Sequence, residues 1–140
     1  MHRQVLLDTG SLVALLNRRD NFHEWAKLQW QGIKPPLLTC EPVIAEACFL
    51  LQNVYGGQEA IMSLIETDVV QISFSLKVEI EQIKTLLMRY RSVPMSLADG
   101  CLVRMAELYS NSSVLTLDSD FKIYRKHKNQ IIPLIIPENR

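Results

Sequence analysis

The chain has 140 residues, 48% of them apolar and 21% charged, which is one domain's worth and enough to bury a core without disulfide or zinc staples. That balance excludes intrinsic disorder. The formal net charge of +0 removes any whole-molecule electrostatic case for a nucleic-acid or membrane partner, while leaving a local basic strip open.

The first strand is expected at Gln4–Leu7, with helices at Leu12–Asn17 and Glu24–Gln31. A strand at Leu37–Thr39 leads into a helix over Pro42–Tyr55, whose proline suits a first helical turn. Gly56 and Gly57 precede a helix at Glu59–Glu66, and Val69–Ser73 forms the next strand. Leu76–Arg91 is a long amphipathic helix, and Leu97–Tyr109 follows a start at Pro94–Ser96. Strands at Val114–Leu117 and Ile131–Ile135 complete the chain. Short, nearly continuous apolar strands alternating with helices imply a mostly parallel, doubly wound α/β sheet covered on both faces, in one domain over residues 1–140.

The longest strictly apolar runs, Leu12–Leu16 and Ala47–Leu51, have five residues, against about 20 for a membrane span. No membrane partner is expected. Asp8 and Gly10 interrupt the apolar start, and Arg18 and Arg19 stand where a small-residue cleavage site would be, so the segment reads as folded cytoplasmic protein. Cys40, Cys48 and Cys101 show no metal-binding spacing and read as buried free thiols in a reducing compartment.

In sheets of this kind, sites form beyond the carboxyl ends of the strands. Asp8 follows the first strand in VLLDTGS, and Asp118 follows the fourth in SVLTLDSDF, with Asp120 two residues on. Taken alone, each has an ordinary explanation, because aspartate favours turns and caps helices. Glu46 is the only charged residue between Pro42 and Gln58. It either meets a cation, donor or polar cavity, because a buried unpaired carboxylate is expensive, or it points to solvent along a narrow polar seam. Asp99 with Ser96 fits a capping box, although Glu or Gln is the usual partner, and a first-turn carboxylate can also line a cleft. Four carboxylates on one site repel one another unless a cation joins them. An all-oxygen donor set favours magnesium or manganese, and the corresponding chemistry is metal-assisted phosphodiester hydrolysis.

The segments LLDTGSLVALLNRRDNFHEWA, EPVIAEACFLL, SLADGCLVRMAE and VLTLDSDF, in that order, resemble the PIN domain, in particular the VapC-like toxins of bacterial toxin–antitoxin pairs. The resemblance implies a three-layer α/β sandwich around a five-stranded parallel sheet, with the first and fourth strands adjacent. It also implies a magnesium- or manganese-dependent ribonuclease. By resemblance, Asp8, Glu46, Asp99 and Asp118 are the catalytic acids, with Asp8 and Asp99 as direct metal ligands, Glu46 and Asp118 completing the cluster, and Asp120 contacting metal or ordering the loop. Thr9 and Ser11 lie where relatives use a hydroxyl near the attacking water. Gly10 stands where many members carry Ser or Asn, which weakens the assignment of that hydroxyl and leaves the acids untouched. The resemblance further implies an RNA substrate such as tRNA or another structured RNA, a homodimer and, for a toxin, a cognate antitoxin.

Lys122, Arg125, Lys126 and Lys128 could track phosphates flanking the scissile bond, as could Arg18 and Arg19, although each also reads as a solvated surface cation. His23 and His127 would suit metal-free cleavage only if folding paired them; surface positions in helical segments are the default. Trp25, Leu28 and Trp30 read as core or interface, and the apolar content of Leu12–Leu16 and Trp25–Trp30 suggests an exposed remainder for self-association or a partner. A PIN-like fold that has lost turnover, or has a housekeeping role, and serves as an RNA- or protein-binding module is the alternative. Phosphatase and receiver readings fail because Gly10 stands where the former needs a second acid, and the latter's paired acids are missing.

Overall fold

The computed structural model describes residues 3–140. Strands β1 (Gln4–Leu7), β2 (Leu37–Thr39), β3 (Val70–Ile72), β4 (Ser112–Leu115) and β7 (Leu134–Ile135) form a parallel sheet in the order β3-β2-β1-β4-β7. A separate antiparallel hairpin pairs β5 (Arg125–Lys126) with β6 (Gln130–Ile131). The helices are α1 (Thr9–Leu16), α2 (His23–Gln31), α3 (Glu41–Leu50), α4 (Gly57–Glu66), α5 (Ile80–Arg89) and α6 (Leu97–Leu108), with a 3₁₀ turn at Ser119–Lys122. No described helix is long and apolar enough to cross a membrane.

Side chains on a strand alternate between faces, and this divides the core in two. Leu6, Leu38 and Val114 pack with α5 and α6 through Ile83, Leu86, Leu102 and Met105. Val5, Leu7, Leu37 and Leu115 pack on the other face with α1, α3 and α4 through Leu12, Val13, Ala47 and Ile61. The outcome is the expected three layers. From β1 the chain moves outward to β2 and β3, then returns to β4 on β1's other side, pairing Leu7 with Leu115. The carboxyl ends of β1 and β4 therefore meet at the switch point, where a crevice opens in such sheets.

Several boundaries differ from the sequence expectation, each for a polar reason. β4 runs Ser112–Leu115 instead of Val114–Leu117, because Ser112 and Ser113 pair with Gln4 and Val5 and the Ser112 hydroxyl is satisfied by the Tyr109 carbonyl. The run Ile131–Ile135 splits at Pro133, which has no N–H to offer a ladder; its carbonyl accepts from the Val114 N–H. The helix expected over Pro42–Tyr55 ends at Leu50, and a turn leads to Gly56, whose φ of +73° suits glycine. The helix expected at Leu76 starts at Ile80, after a turn held by the Ser75 hydroxyl accepting from the Val78 N–H. The first helix starts early, at Thr9, because Asp8 caps it.

Candidate active site

Asp8 leaves β1 and becomes the N-cap of α1, its Oδ1 accepting from the Thr9 N–H at 2.7 Å and its Oδ2 from the Thr116 hydroxyl at 2.6 Å. The capping and cleft readings of this residue thus hold together. Only 5% of Asp8 is exposed. Burial pushes its carboxyl up to about 7; the Thr116 and Thr9 hydrogen bonds oppose the rise, and the nearby charges of Asp99 and Asp118 add to it.

Asp99 behaves similarly. The capping box forms as spaced, with the Ser96 hydroxyl accepting from the Asp99 N–H at 3.0 Å and Asp99 Oδ2 accepting from the Ser96 N–H at 3.4 Å. The same oxygen accepts from the Tyr124 hydroxyl at 3.0 Å. Burial raises this carboxyl, against the hydrogen bonds from Tyr124 and Ser96 and with help from the Asp118 charge. Tyr124 is itself held firmly protonated, first by burial and then by the Asp99 charge, so it remains a donor.

Asp118 lies past Leu117 rather than directly on the strand end, because β4 stops at Leu115. It caps the 3₁₀ turn by accepting from the Asp120 N–H at 2.9 Å, and its own N–H donates to the Thr116 hydroxyl oxygen at 2.9 Å. Thr116 therefore ties the positions of Asp8 and Asp118 together. Asp120 has a raised carboxyl, by partial burial first and by the Asp118 charge second. Glu46 is exposed on α3, where Val43, Ile44 and Ala47 take the buried face. Its Oε1 accepts from the Thr9 hydroxyl at 2.7 Å, so it both reaches solvent and meets a donor.

All five predicted acids face one cavity of about 920 Å³ at the β1–β4 carboxyl edge, together with Asp20. The cations lining it are Arg19 and Arg140. Among the described residues, none of these six acids lies within ion-pair distance of a cation. The donor set is oxygen only, and its innermost acid is pushed up by burial and by like charge, which is the condition a divalent cation relieves. Among the described residues, no three His, Cys, Asp or Glu side chains already close on a single point. A ring of acids around an open cavity fits magnesium, which takes one or two carboxylates and fills its remaining positions with water and phosphate oxygens.

Other expected residues take different places. Ser11 is fully buried and its hydroxyl donates to the Asp8 and Leu115 carbonyls at 3.0 and 2.8 Å, so it fastens α1 to the sheet instead of facing a water or phosphate. Arg19 lines the cavity, whereas Arg18, Lys122, Arg125, Lys126 and Lys128 lie outside its lining. Arg125 donates to the carbonyls of Lys122, Ile123 and Tyr124, folding back on its own turn. His127 sits at the hairpin tip with φ +50°, not on a helix, and lines a separate cavity beside Glu107; His23 bonds the Ala14 carbonyl at 2.8 Å. The two histidines share no cavity. Trp25 and Trp30 pack against the core, Leu28 between them supplies the exposed apolar remainder expected of that segment, and further exposed apolar surface falls at Phe49, Leu50, Tyr55 and Met62. Cys40 and Cys101 are buried, while Cys48 is half-buried, contrary to its expected burial. A hydrogen bond with Cys101 and then burial push the Cys40 thiol up, which keeps it unreactive.

The sequence expectations do not single out Asp20, Thr116, Tyr124, Phe22 or Arg140. Thr116 carried a signal, since it stands two residues before Asp118 just past a strand; Tyr124 meets Asp99 across 25 residues and carried none.

The PIN domain family model matches residues 5–127. Among solved structures, that of Mycobacterium tuberculosis VapC20, titled a sarcin–ricin-loop-cleaving toxin, matches with a TM-score of 0.77 at 23% identity, covering 93% of this chain and 100% of that one. A search of curated proteins finds no match. The likeness to VapC20 speaks for the fold: a five-stranded parallel sheet between helices, as observed.

Proposed function

This chain belongs to the PIN domain family, and on that premise we propose that it is a metal-dependent endoribonuclease of the VapC-like toxin type. The observation that carries the reading is the set of acids around one cavity without a paired cation, with the innermost carboxyl, Asp8, raised to about 7. VapC20 is described as a sarcin–ricin-loop-cleaving toxin, so structured RNA is the first substrate to try here.

In this reading Asp8 and Asp99 hold magnesium or manganese, with Glu46 and Asp118 completing the set and Asp120 at its edge. A divalent ion there supplies charge neutralisation for the scissile phosphate and lowers the pKa of an attacking water. The protein's own part is positioning. The Thr116, Tyr124 and Thr9 hydroxyls each fix one oxygen of Asp8, Asp99 and Glu46, leaving further lone pairs free for a ligand. This outer layer sets carboxylate orientation much as second-shell partners do in metal sites generally. Arg19 and Arg140 are placed to offset phosphate charge at the rim.

The reading extends to a homodimer formed through exposed apolar residues such as Phe49 and Leu50 of α3, and to a cognate antitoxin that covers the cavity. It also takes the protein to be cytoplasmic and one nuclease domain throughout. Purified protein should cleave structured RNA with magnesium or manganese and stop on EDTA addition, and Asp8→Asn should abolish cleavage with the fold intact. Metal binding without cleavage of any RNA would replace this with the binding-module reading. Cleavage that persists in EDTA would overturn the metal assignment.

A further inference from the structure

The α1–α2 loop contributes Arg19, Asp20, Asn21 and Phe22 to the cavity lining, and its chemistry differs from the rest. Phe22 is the single aromatic side chain among the described residues lining the cavity. Its ring face is covered by the Arg140 guanidinium, with Cζ 4.7 Å from the ring centroid. Phe22 is half-buried and Arg140 is exposed, so the ring is the fixed partner and the guanidinium the removable one.

The loop under Phe22 is rigid for a local reason. Asn17 Oδ1 accepts from the Arg19 N–H at 3.1 Å and Asp20 Oδ1 from the Phe22 N–H at 2.9 Å, two side-chain turns in succession. The His23 N–H donates to the Asp20 carbonyl at 3.0 Å, and the His23 ring bonds the Ala14 carbonyl, pinning the loop to α1. A ring held in this way loses little freedom when a ligand packs on it.

We propose that the Phe22 face is a nucleobase subsite, now occupied by a flat cation that a base displaces. The inference rests on the ribonuclease reading for its ligand class. A nucleobase and a guanidinium compete for the same ring face. Aromatic–base stacking changes affinity by about 5- to 150-fold, whereas an exposed cation–π contact contributes about 2- to 5-fold, so the base wins. Displaced, Arg140 is a free cation at the rim of an acid-lined cavity, where the ligand's phosphate needs one. The subsite would therefore select RNA with an unpaired base beside the scissile bond, because a paired base cannot reach a ring.

Two fluorescent purines lacking any phosphodiester test this: 2-aminopurine riboside and its 5′-monophosphate, titrated into the intact protein with magnesium. Stacking on Phe22 should quench the monophosphate's fluorescence. Phe22→Leu should abolish quenching and weaken binding about 5- to 150-fold, and Phe22→Trp should keep both. Arg140→Ala, at an exposed position that should not disturb folding, should tighten the riboside about 2- to 5-fold while lowering the monophosphate-to-riboside affinity ratio. Quenching that survives in folded Phe22→Leu, no riboside gain in Arg140→Ala, or no binding to the unaltered protein would each overturn the subsite. RNA cleavage measured in parallel separates the two readings. Stacking without cleavage of any RNA sinks the nuclease and leaves the subsite; cleavage without stacking sinks the subsite alone.

Discussion

Two places in this molecule gather carboxylates at low exposure, and they solve the electrostatic problem in opposite ways. Between α5 and α6, Arg104 Nε sits 2.7 Å from Glu79 and its Nη1 3.0 Å from Glu107, while the His127 N–H donates to Glu107 at 2.7 Å. Burial works against the Arg104 charge, but the two glutamates outweigh it and hold the guanidinium above its usual range. At the β1–β4 edge, Asp8 and Asp99 are more deeply buried yet have no cation, and both carboxyls are raised. The first arrangement shares one guanidinium between two carboxylates, so each has a cationic partner, and it serves the fold. The second holds an unbalanced charge, and that imbalance marks a place for a ligand.

The contrast breaks most sharply on Asp8→Asn. RNA cleavage should fall at least about 100-fold, since a metal's charge stabilisation is worth several kcal/mol. The metal-free protein should meanwhile become more stable. Because the folded carboxyl titrates near 7, above its ordinary 3.8, stability from this group is fully present below about pH 4 and drains away as pH rises through 7. In EDTA the variant's melting temperature should exceed that of the unaltered protein by more at pH 8 than at pH 5. An equal gap at both pH values would remove the charge-imbalance account.

Arg104→Met is the converse experiment. It leaves Glu79 and Glu107 without their partner and should cost about 2–4 kcal/mol in denaturant unfolding, discounted from the fully buried case because side-chain exposure at Arg104 is 20%. Cleavage per folded molecule should not change. A comparable loss of activity would mean the two regions are coupled.

Magnesium or manganese at pH 8 should raise the melting temperature by mass action, about 2.7 kcal/mol at a hundred times the dissociation constant. The rise should vanish in Asp8→Asn and persist in Arg104→Met. The smallest expected effect is Tyr124→Phe, which removes one hydrogen bond from Asp99 at about 1–1.5 kcal/mol. Since that bond lowers the Asp99 carboxyl, its loss should move the acidic limb of the pH–rate profile to higher pH. An unmoved limb would show that Tyr124 only fills space.

Much of the site was legible because its acids also obey short-range rules. Asp8 and Asp118 stand just past short, nearly continuous apolar runs, and Ser96 with Asp99 forms a capping box whose spacing is visible in the sequence. Glu46 stood out as one charge in an apolar helix. The basic residues were harder: Lys122, Arg125, Lys126 and Lys128 follow Asp118 closely, but chain proximity is lost where the segment turns away into the hairpin. Ser11 lies three residues from Asp8 and yet faces the sheet, because the helix it begins turns it to Leu115. Those outcomes depend on how elements dock, which local periodicity does not encode.

The sequence by itself determined the strand-and-helix alternation, the carboxyl-edge location and five of the six acids that line the cavity there, since periodicity, capping and strand-end chemistry act over a few residues. Only the tertiary structure decided which hydroxyl holds which acid, which arginines reach the cavity and that Phe22 meets Arg140. The Thr116–Asp8 bond spans 108 residues, and contacts of that reach arise from sheet order and packing, where each residue's partner is set by the whole chain.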